Sequence, residues 1–143
     1  MAVFLDTNFY LSLVHIKDAN AKRGGDILQE ISTGKYGLLY TSNFVIVETA
    51  TLVAVRTLGN PIILKDLEEL IWGENKLAEV LRVTSDNEKR IWELFVKINT
   101  NFKTKKDFLS FVDVSNIILA EEYQITKIVS FDQHFDGFMD RLY

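Results

Sequence analysis

The chain contains no cysteine. That excludes a disulfide framework, thiolate catalysis and every cysteine-ligated zinc site, and it fits a reducing compartment. Histidine is nearly absent too. His15 and His134 are too few and too separated in sequence to read as a zinc site. Basic charge is short: 16 Lys and Arg stand against 20 Asp and Glu, a net charge of -4. No global positive field announces a nucleic-acid partner, although metal ions or a local basic patch can neutralise phosphates on an acidic protein. Long apolar runs are missing. Phe44 to Val47 and Ile62 to Leu64 are far too short to span a bilayer. The opening Met-Ala-Val-Phe-Leu-Asp lacks the basic segment and cleavage site of a signal peptide. The expectation is a cytoplasmic protein with no membrane partner. One proline and seven scattered glycines leave no linker and no low-complexity stretch. A single domain over residues 1–143 is therefore expected.

What is present is an ordinary globular composition, 48% hydrophobic and 25% charged, rich enough in apolar residues to build a core. Ala2 to Leu5 reads as a short buried strand. A helix follows over about Thr7 to His15. A second starts after Asn20, with Ile27, Leu28 and Ile31 as its apolar stripe and Gly34 as its stop. Leu38 to Tyr40 suits a second strand. Thr41 and Ser42 can cap a helix that runs to Leu58 and stops at Gly59. Asn60-Pro61 restarts a helix with an N-cap followed by proline in the first turn. Val80 to Val83 reads as a strand, and Ser85 with Glu88 offers a capping box for the helix that carries Ile91, Leu94, Phe95 and Ile98. Asn99 to Asp107 is a polar loop. A helix from Ser110 to about Tyr123, a strand over Lys127 to Phe131 and a short helical or irregular tail complete the chain. Short apolar strands alternating with longer helices predict an α/β fold, a three-layer α/β/α sandwich on a mainly parallel sheet.

Open parallel sheets build sites at the carboxyl ends of their strands. Asp6 directly follows the first strand and Asp132 follows the last. Neighbouring strands would bring both to one edge. Glu48 lies in Phe44-Val45-Ile46-Val47-Glu48-Thr49-Ala50-Thr51-Leu52, beside an apolar stripe. A carboxylate there needs a counter-charge or hydrogen bonds. Arg56 is the plain candidate and a metal ion the sharper one. Asp113 stands three residues after Ser110, in the first turn of a helix, where capping alone accounts for an acid. Four carboxylates at one edge repel each other unless divalent cations bind. Mg²⁺ and Mn²⁺ favour oxygen ligands and can activate water against a phosphodiester.

Taken in order, these segments resemble the PIN-domain family. Val3-Phe4-Leu5-Asp6-Thr7-Asn8 is similar to its first motif, Glu48 falls at its second acidic position, Ser110-Phe111-Val112-Asp113 resembles the third, and Ile128 to Phe135 resembles the fourth. Two positions depart from the pattern: Ser130 replaces the commoner Thr, and Gln124 stands where a glycine often ends the helix. The resemblance implies Mg²⁺- or Mn²⁺-dependent cleavage of single-stranded or structured RNA. Asp6, Glu48, Asp113 and Asp132 would be the acidic, metal-binding quartet, and Asn8 and Ser130 its polar supports. Small members are often toxins of VapC-type pairs, commonly homodimers held inactive by a small antitoxin.

Lys103, Lys105 and Lys106 can guide RNA phosphates, and a solvated loop explains them equally well. Phe9 and Tyr10 read as core rather than as bases' stacking partners. Trp72 and Trp92 read as packing residues, with Trp72 alternatively at a dimer or antitoxin interface. His134 can touch substrate near Asp132, but a structural role is the expectation. Asp136 falls outside the quartet. Two other functions compete. A haloacid-dehalogenase-like or receiver-type phosphotransfer domain lacks its required second Asp or strand-end Lys. A noncatalytic interaction module on the same fold has no need of repelling carboxylates.

Overall fold

Val3, Phe4 and Leu5 are wholly buried, which only a strand covered on both faces allows. They form the middle of the sheet in the computed structural model, which describes residues 1–100 and 104–143. The elements are β1 (Ala2–Leu5), α1 (Thr7–Val14), α2 (Ala21–Ser32), β2 (Leu38–Ser42), α3 (Asn43–Arg56), α4 (Pro61–Trp72), β3 (Glu79–Leu81), α5 (Ser85–Asn99), α6 (Phe111–Glu122), β4 (Lys127–Val129) and β5 (Asp140–Leu142). Short 3-10 turns occupy Lys105–Asp107 and Gln133–Phe135. Every strand pairing among the described residues is parallel, in the order β3-β2-β1-β4-β5.

This order positions the site. The chain leaves β1 toward β2 and β3 on one side, then returns to β4 on the other. The switch point therefore lies between β1 and β4, where open sheets bind their ligands. Leu5 pairs with Val129. One further residue along each strand brings Asp6 level with Ser130.

Helix packing supplies the outer layers. α1 packs on α2, α3 and α4, α5 packs on α6, and α3 meets α6. This is the expected three-layer α/β/α architecture. Phe4, Phe9, Tyr10, Ile91, Leu119 and Phe135 are among its wholly buried side chains. Each contributes about 1.5–3 kcal/mol by leaving water. α1 and α2 approach closely because residue 24 is glycine: a Cβ there would stand 2.0 Å from Ser12 Oγ. Among the described residues no helix is long and apolar enough to cross a membrane.

Several local expectations change. Ser42 caps α3, its Oγ accepting from Val45 N at 3.1 Å, but Thr41 donates instead to Leu5 O at 3.0 Å, tying β2 to β1. The box at α5 is built one residue earlier than Ser85 and Glu88: the Thr84 amide and hydroxyl both donate to Asn87 Oδ1, at 3.1 and 2.9 Å. The third strand covers Glu79–Leu81 and β4 stops at Val129. The tail contains a strand, β5, on the far side of β4. Gln124 takes the left-handed conformation a glycine would favour, φ 56°, at a cost of about 1 kcal/mol.

Candidate active site

Asp6 forms the floor. It is 3% exposed, at the end of β1. Its Oδ2 accepts from Ser130 Oγ at 2.8 Å and its Oδ1 from Asn116 Nδ2 at 3.2 Å. The main chain is locked as well, since Asp6 N donates to Val129 O at 3.2 Å. Ser130 works as a hub. While donating to Asp6, its Oγ accepts from Asn8 Nδ2 at 3.2 Å and from Asp132 N at 3.1 Å. Asn8 Oδ1 accepts from Phe131 N at 3.1 Å. The first turn of α1 and the chain after β4 are thereby stitched together, fixing Asp6 and Asp132 on one edge.

The other acids converge from the helices. Asp113, buried in the first turn of α6, accepts from Ser110 N at 3.0 Å while Ser110 Oγ accepts from Asp113 N at 3.0 Å. The capping role foreseen for it is real, and it leaves the carboxylate at the helix end facing the site. Glu48 on α3 is half-buried and accepts from Thr7 Oγ1 at 2.5 Å. Arg56 is not its partner; that guanidinium lies 3.8 Å from Asp18. Asp132 Oδ1 accepts from His134 N at 2.9 Å. Asp6, Asn8, Glu48, Asp113, Asp132 and His134 all line one cleft of about 310 Å³.

Its electrostatics are one-sided. Among the described residues no Lys or Arg lies in direct ion-pair contact with the four acids; the His134 ring stands 3.1 Å from Asp132, and Arg141 acts on Asp132 from farther off. Burial, reinforced by the charges of Asp113 and Glu48, pushes the Asp6 carboxyl up to about 7 against the pull of its Ser130 and main-chain hydrogen bonds. Burial likewise raises Asp113, despite the hydrogen bonds from Ser110, with Asp132 and Glu48 adding repulsion. Four carboxylates with no Lys or Arg in direct contact suit a hard divalent cation. Asn116 Oδ1, buried and without a hydrogen-bond partner, is a further oxygen open to a donor or a cation. Asp113, Asp132 and His134 each offer a ligand atom within 4.8 Å of the others. The residues present therefore fit such an ion.

Lys105 and Lys106 are exposed on the 3-10 turn, and Lys106 borders a cleft shared with Asn8, Arg56, Asp132 and His134. Lys103 lies outside the described residues. Phe9 and Tyr10 are core. Trp92 stacks on Phe95 and tilts against Phe111 yet is 57% exposed, much as Trp72 is at 56%. Asp136 pairs with Arg141 at 2.7 Å, away from the quartet. Sequence reasoning missed Asn116 and Thr7. Asn116 carried a signal: it is a polar residue inside the apolar run Val114 to Ala120, three residues from Asp113 and so on the same helix face.

Comparison with known proteins bears on this geometry. The family model described as PIN domain matches residues 3–138. A relative named VapC ribonuclease, from Archaeoglobus fulgidus, is 24% identical over 135 residues, covering 94% of this chain and 80% of the relative. The crystal structure of Mycobacterium tuberculosis VapC20, described as a Sarcin-Ricin loop cleaving toxin, superposes with a TM-score of 0.74 at 24% identity, covering 94% of this chain and 93% of that one. The superposition shows a shared fold.

Proposed function

The chain belongs to the PIN-domain family, and on that premise we propose that it is a divalent-metal-dependent endoribonuclease, the toxin of a toxin–antitoxin pair. The observation that carries this reading is the convergence of Asp6, Glu48, Asp113 and Asp132 on one cleft, with no Lys or Arg of the described residues in direct ion-pair contact with them and only Arg141 acting on Asp132 from farther off. The name of the Archaeoglobus fulgidus relative supports RNA as substrate. RNA is also the partner whose phosphates a bound cation would engage.

In this reading the four carboxylates hold Mg²⁺ or Mn²⁺. When bound, such an ion polarises a phosphodiester and makes water acidic enough to attack it at neutral pH. The chain's own contribution is positioning. Ser130 and Asn116 orient both oxygens of Asp6, Thr7 orients Glu48, and the Ser110 cap orients Asp113. Asn8 and Ser130 keep the segment bearing Asp132 against α1. Lys105 and Lys106 meet the RNA backbone at the rim.

The partner reading rests on an apolar groove adjoining Glu48, lined by Phe44, Val47, Leu52, Val55 and Phe111. Val47 and Val55 are 68% and 67% exposed. An antitoxin segment lying there would cover the approach to Glu48. A homodimer in the cytoplasm completes the proposal, with the exposed Trp72 end of α4 as its contact, and sedimentation analysis tests it. For the chemistry, RNA is incubated with purified protein in Mn²⁺ or Mg²⁺, in EDTA, and with Asp6→Asn. Cleavage should require the metal and vanish in the variant while the fold survives. Equal cleavage by wild type and Asp6→Asn, in preparations cleared of contaminating nuclease, would sink the acidic mechanism.

A further inference from the structure

The side chain of His134 is held in an unusual way. Its Nε2 lies 2.5 Å from the main-chain carbonyl of Lys106. A carbonyl oxygen can only accept, so Nε2 carries the proton in that contact. In the neutral ring Nδ1 then presents a lone pair. Nδ1 is buried from solvent and has no hydrogen-bond partner, although Asp132 Oδ1 stands 3.1 Å away. The distance is right for a hydrogen bond but the alignment is not. The same Asp132 oxygen also accepts from the His134 main-chain amide. With Nδ1 unprotonated, two acceptor atoms face each other at that distance and repel, a conflict that either a proton or a bound cation relieves.

Asp113 completes the picture. Its carboxylate, that of Asp132 and a His134 ring nitrogen offer ligand atoms that all lie within 4.8 Å of one another. Opposed ligands on one ion with bonds of about 2.1 Å stand about 4.2 Å apart, so a small closing movement suffices. The Nε2 contact with Lys106 O is the kind of outer hydrogen bond that metal-bound histidines use to fix tautomer and ring orientation.

We propose that His134 Nδ1 is a ligand of the divalent ion in this site, beside Asp113 and Asp132, and that it biases the site toward Mn²⁺ over Mg²⁺. The inference rests on the metal-dependent reading above. Its chemical basis is that imidazole nitrogen suits transition ions, whereas Mg²⁺ favours an all-oxygen shell. The ring also ties metal occupancy to the Lys105–Asp107 turn, since the same imidazole bridges the ion's site and the Lys106 carbonyl.

The test is pulsed electron paramagnetic resonance on the Mn²⁺-loaded full chain, with binding measured alongside. Wild type should show nitrogen coupling to Mn²⁺, converted to the ¹⁵N pattern when histidine alone is ¹⁵N-labelled. His134→Gln places an amide nitrogen where Nε2 was, keeping the reach to Lys106 O while removing Nδ1. It should bind Mn²⁺ roughly tenfold more weakly, as loss of a metal-supporting group does, lose the nitrogen coupling, and lose less affinity for Mg²⁺ than for Mn²⁺. An unchanged melting temperature of metal-free His134→Gln would show that the turn is intact. Mn²⁺ bound without histidine coupling in wild type would overturn the ligand assignment and leave the acidic site standing, with His134 simply paired to Asp132. Failure of wild type to bind Mn²⁺ or Mg²⁺ at all would overturn both readings.

Discussion

The floor and the rim of the cleft hold their acids in opposite ways. At the floor, Asp6 is 3% exposed, fixed through both oxygens, and has its carboxyl raised to about 7 by burial among like charges. At the rim, the side chains of Asp132 and His134 keep 33% and 29% of their exposure, on a short 3-10 turn. Water reaches the rim and not the floor. The floor carries geometry at the expense of stability, because a carboxylate there is costly to ionise without a counter-charge. On the proposed function, the rim would give the substrate and the cation their access.

Asp6→Asn breaks the comparison most sharply. Removing the floor charge should lower RNA cleavage about a thousandfold or more, the scale of roughly 4 kcal/mol of lost transition-state stabilisation. It should also make the metal-free protein more stable at pH 8. Initial rates and thermal melts on the same preparations check both. The sign follows from proton binding. Between the ordinary aspartate value of 3.8 and about 7, the folded chain keeps a proton on Asp6 that the unfolded chain has given up. Rising pH therefore favours unfolding across that window, by up to about 4 kcal/mol, and the loss levels off above it. Asp113, raised by the same burial, acts in the same direction.

Asn116→Ala removes a donor from Asp6 while leaving the four acids in place. Leaving a buried oxygen unpaired costs about 1–3 kcal/mol. The expected outcome is a lower melting temperature and a loss of cleavage smaller than that of Asp6→Asn. If cleavage is untouched, the floor does not need its second anchor. Lys105→Ala and Lys106→Ala probe the rim. Each should weaken RNA binding a few-fold and reduce its salt dependence by about one counterion, with the pH dependence of stability unchanged. The smallest effect lies outside both regions. Gln124→Gly should relieve the positive φ and stabilise the fold by about 1 kcal/mol or less, the left-handed strain minus the entropy glycine adds to the unfolded chain, measured by denaturant midpoint, without altering cleavage.

Much of the floor was legible in the sequence, because strand ends are. Val3-Phe4-Leu5 announces a buried strand, so Asp6 falls at its carboxyl end, and Asp132 is placed by the same logic after β4. The Ser110 cap was legible in its spacing to Asp113. What escaped was set by contacts distant in sequence. Asn116 reaches Asp6 across 110 positions. Nothing in α6 alone says which acid its amide faces. Three-residue edge strands such as β5 carry too little periodicity to be seen, and their pairing with β4 comes from the tertiary fold. Of the two partners open for Glu48, the Arg56 alternative falls away for a related reason. Arg56 is two helical turns away on the same helix, yet Asp18 claims it and Thr7 takes Glu48.

The central claim is that the cleft is an acidic site waiting for a divalent cation, and thermal melting with and without Mn²⁺ tests it most directly. Wild type should gain more stability from Mn²⁺ at pH 8 than at pH 5, where protons compete for Asp6 and Asp113, and Asp6→Asn should gain little at either pH. Equal gains for wild type and Asp6→Asn, or none at pH 8 in wild type, would contradict the account.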